Sequence, residues 1–439
     1  MLYRFLKLVV GIGIRFYYKE VRVLNRKSLT HDGPMIIIAN HPNTLMDAMM
    51  IGFACKQPIH YMAKGTLFNS RLKLWLLKNL NMIPINRQGE SSTKGVSNQA
   101  SFEACYRVLE EGKTLVVFPE GTSFLERHLR ELKSGTARIA LEVEKRNGGN
   151  LNLRVVPLGL NYLKAEKFRS SVLINVGQQM PVIEFLEEFK LDAGKTAKKL
   201  TEKFRINLEH VLVNSESKEQ EKLVDELTEI LSSKYIKTDE KGVAGEIQFL
   251  KEVRNKVEEI QITQPWKIAE IQLLIQNIQW RLRKLDIRAD FLDRRFRSRM
   301  FFRQMILSIF ILIIGLPIFI FGMIHNYIQF KITDYLVPKI TKDIEYFAPI
   351  AVLLGLFFYP IFYTCFLLAG THFIEIGYPG KILYFISMPI SGLFAYSFNR
   401  YLQHISYKWK YMFMMINDKK AMLELQEKRV ELRKMIFND

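Results

Sequence analysis

The sequence predicts an α/β domain with an interfacial amino-terminal helix, followed by a charged helical region and carboxyl-terminal transmembrane helices. Three observations predict it. From about residue 34 to 180, short β-rich runs alternate with helical segments, the pattern of strands buried under helices. From about 185 to 300, charges become dense and strand signals fade. From Met305 onward, uncharged runs such as "MILSIFILIIGLPIFIFGMI" are long enough to cross a hydrocarbon core of roughly 30 Å.

Taken in order, residues 1–25 open with "MLYRFLKLVVGIGIRFYYKE". Arg15 interrupts its apolar character and no small-residue cleavage site follows, so it is not a secretory signal. Wound as a helix, Arg4, Lys7, Arg15 and Lys19 gather on one narrow face. The wide remaining face of Leu, Val, Ile, Phe and Tyr suits a helix lying among lipid headgroups better than one only packed on a core. Residues 26–185 form the α/β domain. Its expected strands are "MIIIAN", "IHYMA", "MIPIN", "TLVVF", "NLRVVPLGLNY" and "SVLINVG", with helices near 45–55, 68–79, 96–111 and 133–146. Continuous apolar strands such as "TLVVF" fit a sheet covered on both faces.

Residues 186–303 read as amphipathic helices with a polar break near 232–246, a solvated connector. Residues 304–400 hold the transmembrane region, and 401–439 a basic helical tail, "DKKAMLELQEKRVELRK". Arg288, Arg294, Arg295, Arg297, Arg299 and Arg303 precede the first span, which by the positive-inside rule makes that end cytoplasmic. Three spans would put the basic tail on the opposite side. Two spans, or a re-entrant segment broken near Pro317, Pro349, Pro360 or Pro389, would keep both basic flanks together.

The chain of 439 residues carries a formal charge of +19, which favours an anionic partner. The spans turn that preference toward a membrane or a phosphorylated substrate and away from nucleic acid. Cys55, Cys105 and Cys365 are odd in number and widely separated, so they frame neither a disulfide scaffold nor a zinc site.

The stretch "IIIANHPNTLMDAMMIG" carries the first chemistry. His41 ends an apolar strand, at the edge where open α/β sheets bind ligands. An unperturbed imidazole can accept a proton near neutral pH. Asp47, accepting from one ring nitrogen, would fix the tautomer and leave the other nitrogen basic, which is triad logic without a protein nucleophile. Six helical positions rotate by about 240°, so the pair cannot share a helix face. "HPNT" must therefore be a turn, with the helix starting near Thr44 or Leu45.

Three further stretches add an anion site. "MIPINRQGE" places Arg87 after a strand, where its planar fork can pair with a phosphate. "TLVVFPEGTSF" ends in Glu120, Gly121, Thr122 and Ser123, a tight turn with amides and hydroxyls for a polar headgroup. "LKSGTARIALEV" starts a helix with Lys133, Ser134 and Gly135, another candidate anion contact.

"NHPNTLMD", "IPINR", "FPEGTS" with "LKSGTARIA", and "VVPLGLNY" resemble, in order and approximate spacing, the four motif blocks of the glycerolipid acyltransferases. That family includes glycerol-3-phosphate and 1-acylglycerol-3-phosphate acyltransferases. "YMAKGTLF", with Lys64, is similar to the stretch between the first two blocks. The resemblance covers about residues 30–185. The common family pattern has four residues between His and Asp, whereas this chain has five.

What the resemblance implies is transfer of a fatty acyl group from acyl-CoA or acyl carrier protein to a glycerol hydroxyl, at the cytoplasmic face of a bilayer. His41 is then the general base and Asp47 its orienter. Arg87, Glu120, Gly121 and Thr122 would bind the phosphorylated acceptor, with Asn43, Lys64, Ser123 and Lys133 completing the substrate-binding set. The thioester is already activated, so no metal or other cofactor is expected. Two alternatives remain: another lysolipid or an aminolipid as acceptor, or an inactive, membrane-tethered lipid-binding protein.

Overall fold

A computed structural model describes residues 2–85, 98–232, 241–292, 298–373, 375 and 377–437. Two compact units emerge. The first comprises Met1–Ser215, Gly242–Ile247 and Thr341–Val352; the second comprises Glu216–Lys241, Gln248–Ile340 and Leu353–Asp439.

The first unit opens with α1 (Leu2–Tyr17) and β1 (Glu20–Leu24). The expected 1–25 segment thus divides: the alternation in "EVRVL", with β-branched Val21 and Val23, makes a strand that pairs with β7. This short, half-buried strand lacks the apolar run that marks the others, which is why the sequence pattern alone passes over it. Then come β2 (Met35–Ala39), α2 (Thr44–Ala54), β3 (Ile59–Lys64), α3 (Arg71–Asn79) and β4 (Met82–Ile85). They are followed by α4 (Asn98–Glu110), β5 (Thr114–Val117), α5 (Gly135–Arg146) and β6 (Arg154–Tyr162). The unit continues with β7 (Ser171–Val176), β8 (Met180–Pro181), α6 (Leu186–Leu191) and α7 (Ala193–Val211). All six expected strands and four expected helices are present; β1 and the two-residue β8 are additions.

The strands form one sheet in the order β1-β7-β6-β2-β5-β3-β4, with β8 beside β6. β2 lies parallel to both β5 and β6, and β3 lies parallel to β4 and β5. β7 and β8 run antiparallel to β6, so the sheet is mixed. Every residue of β2 and β5 is buried, as their unbroken apolar runs require of strands covered on both faces. Because β2, β5 and β6 point the same way, the segments after His41, after Phe118 and around Tyr162 emerge at a single sheet edge.

Packing of α1 follows from its two glycines. Gly11, Gly13, Ile14 and Tyr17 are buried, and Lys7 Nζ donates to the Cys55 carbonyl at 2.6 Å at the end of α2. The opposite side leaves Phe5 and Leu8 about as exposed as surface residues, at 60% and 62%. The helix therefore carries both a packing face and an unpartnered apolar stripe, Phe5, Leu8, Ile12 and Phe16.

The second unit begins with the amphipathic helices α8 (Lys218–Leu231), α9 (Val243–Thr263, its first turn in the first unit) and α10 (Lys267–Leu285). The expected polar break lies between α8 and α9, mostly outside the described residues. Three long helices follow: α11 (Ser298–Ile340), α12 (Phe347–Phe373) and α13 (Tyr378–Asn417), before α14 (Lys419–Phe437). All three are long and apolar enough to cross a membrane. Pro317, Pro360 and Pro389 lie inside helices that continue through them, so none of these prolines ends its helix, and α13 runs well beyond the expected limit near residue 400. α11 and α13 pair antiparallel: Ser308 meets Tyr401, and Asn326 Nδ2 donates to the Met388 carbonyl. Gly322 permits this approach, since a Cβ there would lie 2.2 Å from the Ser391 carbonyl oxygen.

Candidate active site

The site begins where the β2–β6 ladder ends. The Asn40 side chain pairs with both backbone groups of Leu160, donating at 3.1 Å and accepting at 2.8 Å. That takes the place of one more ladder step and frees the chain to turn at His41. Pro42 and Asn43 make the turn and α2 starts at Thr44, as the "HPNT" reading requires.

Thr44 has φ +44°. A β-branched residue in the left-handed region is an outlier that costs about 1–3 kcal/mol. It accommodates the five-residue separation, so that Asp47 swings back beneath the turn. His41 Nδ1 then lies 2.9 Å from Asp47 Oδ2. The same oxygen accepts the Asn43 N–H at 2.7 Å, an acidic first-turn residue reaching back to cap its own helix. Tyr162, the last residue of β6, donates its hydroxyl to Asp47 Oδ1 at 2.7 Å.

Asp47 is fully buried. Burial raises its pKa, opposed by the bonds from His41, the Asn43 amide and Tyr162. As a carboxylate it only accepts hydrogen bonds, so Nδ1 of His41 carries the proton and Nε2 presents the lone pair. The imidazole stacks on Phe118 with centroids 3.9 Å apart and planes 11° apart, and its side chain keeps 14% exposure. The ring is thus fixed in tautomer and plane while remaining reachable.

Glu120 ties the neighbouring loops together. Its Oε1 accepts the His41 N–H at 3.0 Å and its Oε2 accepts the Arg130 N–H at 3.2 Å. Burial raises its pKa as well, against the pull of those two amides. The carboxylate therefore acts on the protein's own backbone. Gly121 follows at φ +77°, and a Cβ there would meet Lys133 Nζ at 2.8 Å. The ammonium of exposed Lys133 thus lies over the Gly121 turn, next to Thr122 and Ser123, the kind of place an anion can occupy. Phe124 N–H closes the loop onto the His41 carbonyl at 3.2 Å.

The remaining expected residues divide. Asn43 is wholly buried, its amide donating to the Ala165 carbonyl and to Tyr18 Oη, so it braces the turn and lines no surface. Lys64 ends β3, half-buried, on the same sheet edge by strand direction. Arg87 lies outside the described residues. Among the described residues no group of three or more His, Cys, Asp or Glu side chains could hold a metal ion.

Tyr162, Phe118 and Tyr18 touch the His41–Asp47 turn and are neighbours that the motif reading passed over. The first two were visible as aromatic residues ending strands beside β2. Tyr18 has no local signal, since its approach to Asn43 depends on the fold.

Residues 20–161 match the profile of the Acyltransferase family. The "Probable 1-acyl-sn-glycerol-3-phosphate acyltransferase" of Mycoplasma pneumoniae is 28% identical over 143 residues, 31% of this chain and 51% of that protein. "Glycerol-3-phosphate O-acyltransferase 1" of Saccharomyces cerevisiae is 29% identical over 87 residues, 20% of this chain and 11% of that protein. The chain thus spans about half of the first relative's length and far less of the second's. A crystal structure of the 1-acyl-sn-glycerophosphate (LPA) acyltransferase PlsC from Thermotoga maritima aligns with TM-score 0.32 and 20% identity, covering 46% of this chain and 79% of that one.

Proposed function

We propose, from the match of residues 20–161 to the Acyltransferase family, that the chain is a membrane-bound O-acyltransferase that acylates 1-acyl-glycerol-3-phosphate or glycerol-3-phosphate. The carrying observation is the His41–Asp47 pair at 2.9 Å, its carboxylate buried and its imidazole reachable, at the sheet edge from which the Gly121 turn also emerges. A base without a protein nucleophile implies that the substrate brings its own.

In the proposed step, Nε2 of His41 takes the proton of the acceptor hydroxyl as its oxygen attacks the thioester carbonyl. The C–O bond forms, the C–S bond breaks, and the departing thiolate receives that proton from the imidazolium. Asp47 stabilises the imidazolium in between. General-base assistance of this kind contributes roughly 10²–10⁴-fold. Lys133 and the turn Gly121–Ser123 receive the acceptor's phosphate, with Arg87 as a further partner.

The donor is an acyl-CoA or acyl carrier protein thioester, which is already activated, so the chemistry calls for no metal or redox cofactor. Because such thioesters are cytosolic, the catalytic unit faces the cytoplasm. The apolar stripe of α1, flanked by Arg4 and Arg15, rests in the headgroup layer, and three apolar helices hold the chain in the bilayer.

The test is thiol release by purified protein in lipid, with an acyl-CoA and each acceptor in turn, read with a chromogenic disulfide. Acceptor-dependent release that His41→Ala abolishes, with near-UV circular dichroism unchanged, is the expected result. Equal release from that variant rejects the mechanism. Lipid binding without turnover would make the chain a tethered binding protein.

A further inference from the structure

We infer that the loop between the first two apolar helices, residues 341–346, holds the His41–Asp47 turn in place through the Thr44 hydroxyl, which makes Thr44 a positioning residue of the reaction proposed above. The inference rests on that reading of the site.

Thr44 stands at the junction on which the pair depends. The chain leaves β2 at His41 and must re-enter a helix soon enough for Asp47 to return beneath the turn. It does so through a left-handed residue, φ +44°, and that residue is a threonine, for which the conformation is unfavourable. Glycine, asparagine or aspartate would adopt it with less strain. What threonine adds is a hydroxyl. Its Oγ1 donates to the Glu345 carbonyl at 3.0 Å, across more than 300 residues of sequence. Strained backbone persists where surrounding structure over-determines it, and this bond ties the Thr44 side chain to a distant segment of the chain.

The accepting loop is built to hold still. Asp343 N–H donates to Thr341 Oγ1 at 3.1 Å and Tyr346 N–H to the Asp343 carbonyl at 3.1 Å, closing a turn. Ala348 is wholly buried and Val352 is 4% exposed, so the first turns of α12 are seated within the catalytic unit, to which Thr341–Val352 belongs. The contact is to a backbone carbonyl. The Glu345 side chain is therefore dispensable, whereas the Thr44 hydroxyl is not.

The alternative is a bond that merely adds stability. It is separated from a positioning role by readouts that stability does not move. Thr44→Val keeps the branched shape and removes the hydroxyl; Thr44→Ser keeps the hydroxyl; Glu345→Ala keeps the carbonyl. In the full chain reconstituted in lipid, Thr44→Val is expected to lower kcat by about ten- to a hundredfold, the scale of a small misplacement of catalytic groups, with KM for the acceptor within about twofold. Thr44→Ser and Glu345→Ala restore or retain wild-type kcat. In ¹⁵N-histidine-labelled protein, the His41 Nδ1–H resonance is expected to move in Thr44→Val and to stay in Thr44→Ser, because the bond to Asp47 is displaced in the first and kept in the second.

Wild-type kcat in Thr44→Val, or its loss in Thr44→Ser as well, overturns the inference while leaving the acyltransferase reading intact. If wild type and His41→Ala prove equally active, the acyltransferase reading fails. The Nδ1–H resonance then decides alone, and an identical position in wild type and Thr44→Val overturns the positioning role.

Discussion

Tyr162 holds Asp47 by the oxygen that His41 does not use. Its hydroxyl donates to Oδ1 at 2.7 Å while Oδ2 takes the imidazole and the Asn43 amide. The carboxylate is thus pinned from two sides and cannot rotate away from the ring. Tyr162→Phe removes one charge-assisted bond, worth roughly 1.5–3 kcal/mol. We expect kcat to fall about tenfold, as about 1.4 kcal/mol of transition-state stabilisation is lost. Because that bond favours the charged carboxylate, its removal raises the Asp47 pKa further, and the acid limb of the pH–rate profile moves upward. An unchanged profile would limit Tyr162 to packing.

Asp47→Asn separates chemistry from folding. The amide can keep the geometry, with Oδ1 accepting the two N–H groups and Nδ2 donating to Tyr162. Activity should fall by on the order of 10²–10⁴, the range of general-base assistance. Stability should change with the opposite sign. Burial raises the Asp47 pKa, so the folded chain binds this proton more readily than the unfolded one. The group's contribution to stability therefore declines as pH rises from about 3.9, the ordinary aspartate value, through the raised value. Thermal melts of the variant against wild type should diverge in the variant's favour across that window. A gap that does not depend on pH contradicts the prediction.

Gly121 and Lys133 should act as one unit. Gly121→Ala imposes a side chain at φ +77° and displaces the ammonium above it. Lys133→Ala removes that ammonium. Each single change is expected to raise KM for a phosphorylated acceptor about tenfold, and the double variant little more than either. Additive effects in a double-mutant cycle would separate the two residues.

The outer face of α1 can be located with a nitroxide. With Cys365→Ser, a spin label at Leu8→Cys should gain oxygen accessibility and lose accessibility to a water-soluble nickel chelate when the protein is placed in bilayers. A label at Lys19→Cys should remain open to the chelate. Chelate access at both positions would leave α1 out of the interface.

The sheet and the His41–Asp47 pairing were legible because both are written locally. "MIIIAN" and "TLVVF" are unbroken apolar runs that only strands covered on both faces can use, and each ends at the turn that carries His41 or Glu120. The turn at "HPNT" followed from helical geometry, since six residues cannot bring His41 and Asp47 to one face. What escaped was long-range. Tyr162 was quoted within its strand, but its role needs the adjacency of β6 and β2. Asn43 looked free to meet a substrate because its burial depends on Tyr18 and Ala165. Glu120 read as a substrate contact because a sequence does not show that two backbone amides have already claimed its oxygens. β1 escaped because it follows an apolar helix at once and is half-buried throughout.

The two oxygens of Glu120 join the peptide that leaves β2, at His41, to the Arg130 peptide ten residues further along Glu120's own loop. The turn after β2 and the loop between β5 and α5 are thereby fastened to one carboxylate, and neither can peel from the sheet edge without breaking a bond to it. The amides of residues 41 and 130 should therefore exchange hydrogen at matching rates, and a ligand that slows one should slow both.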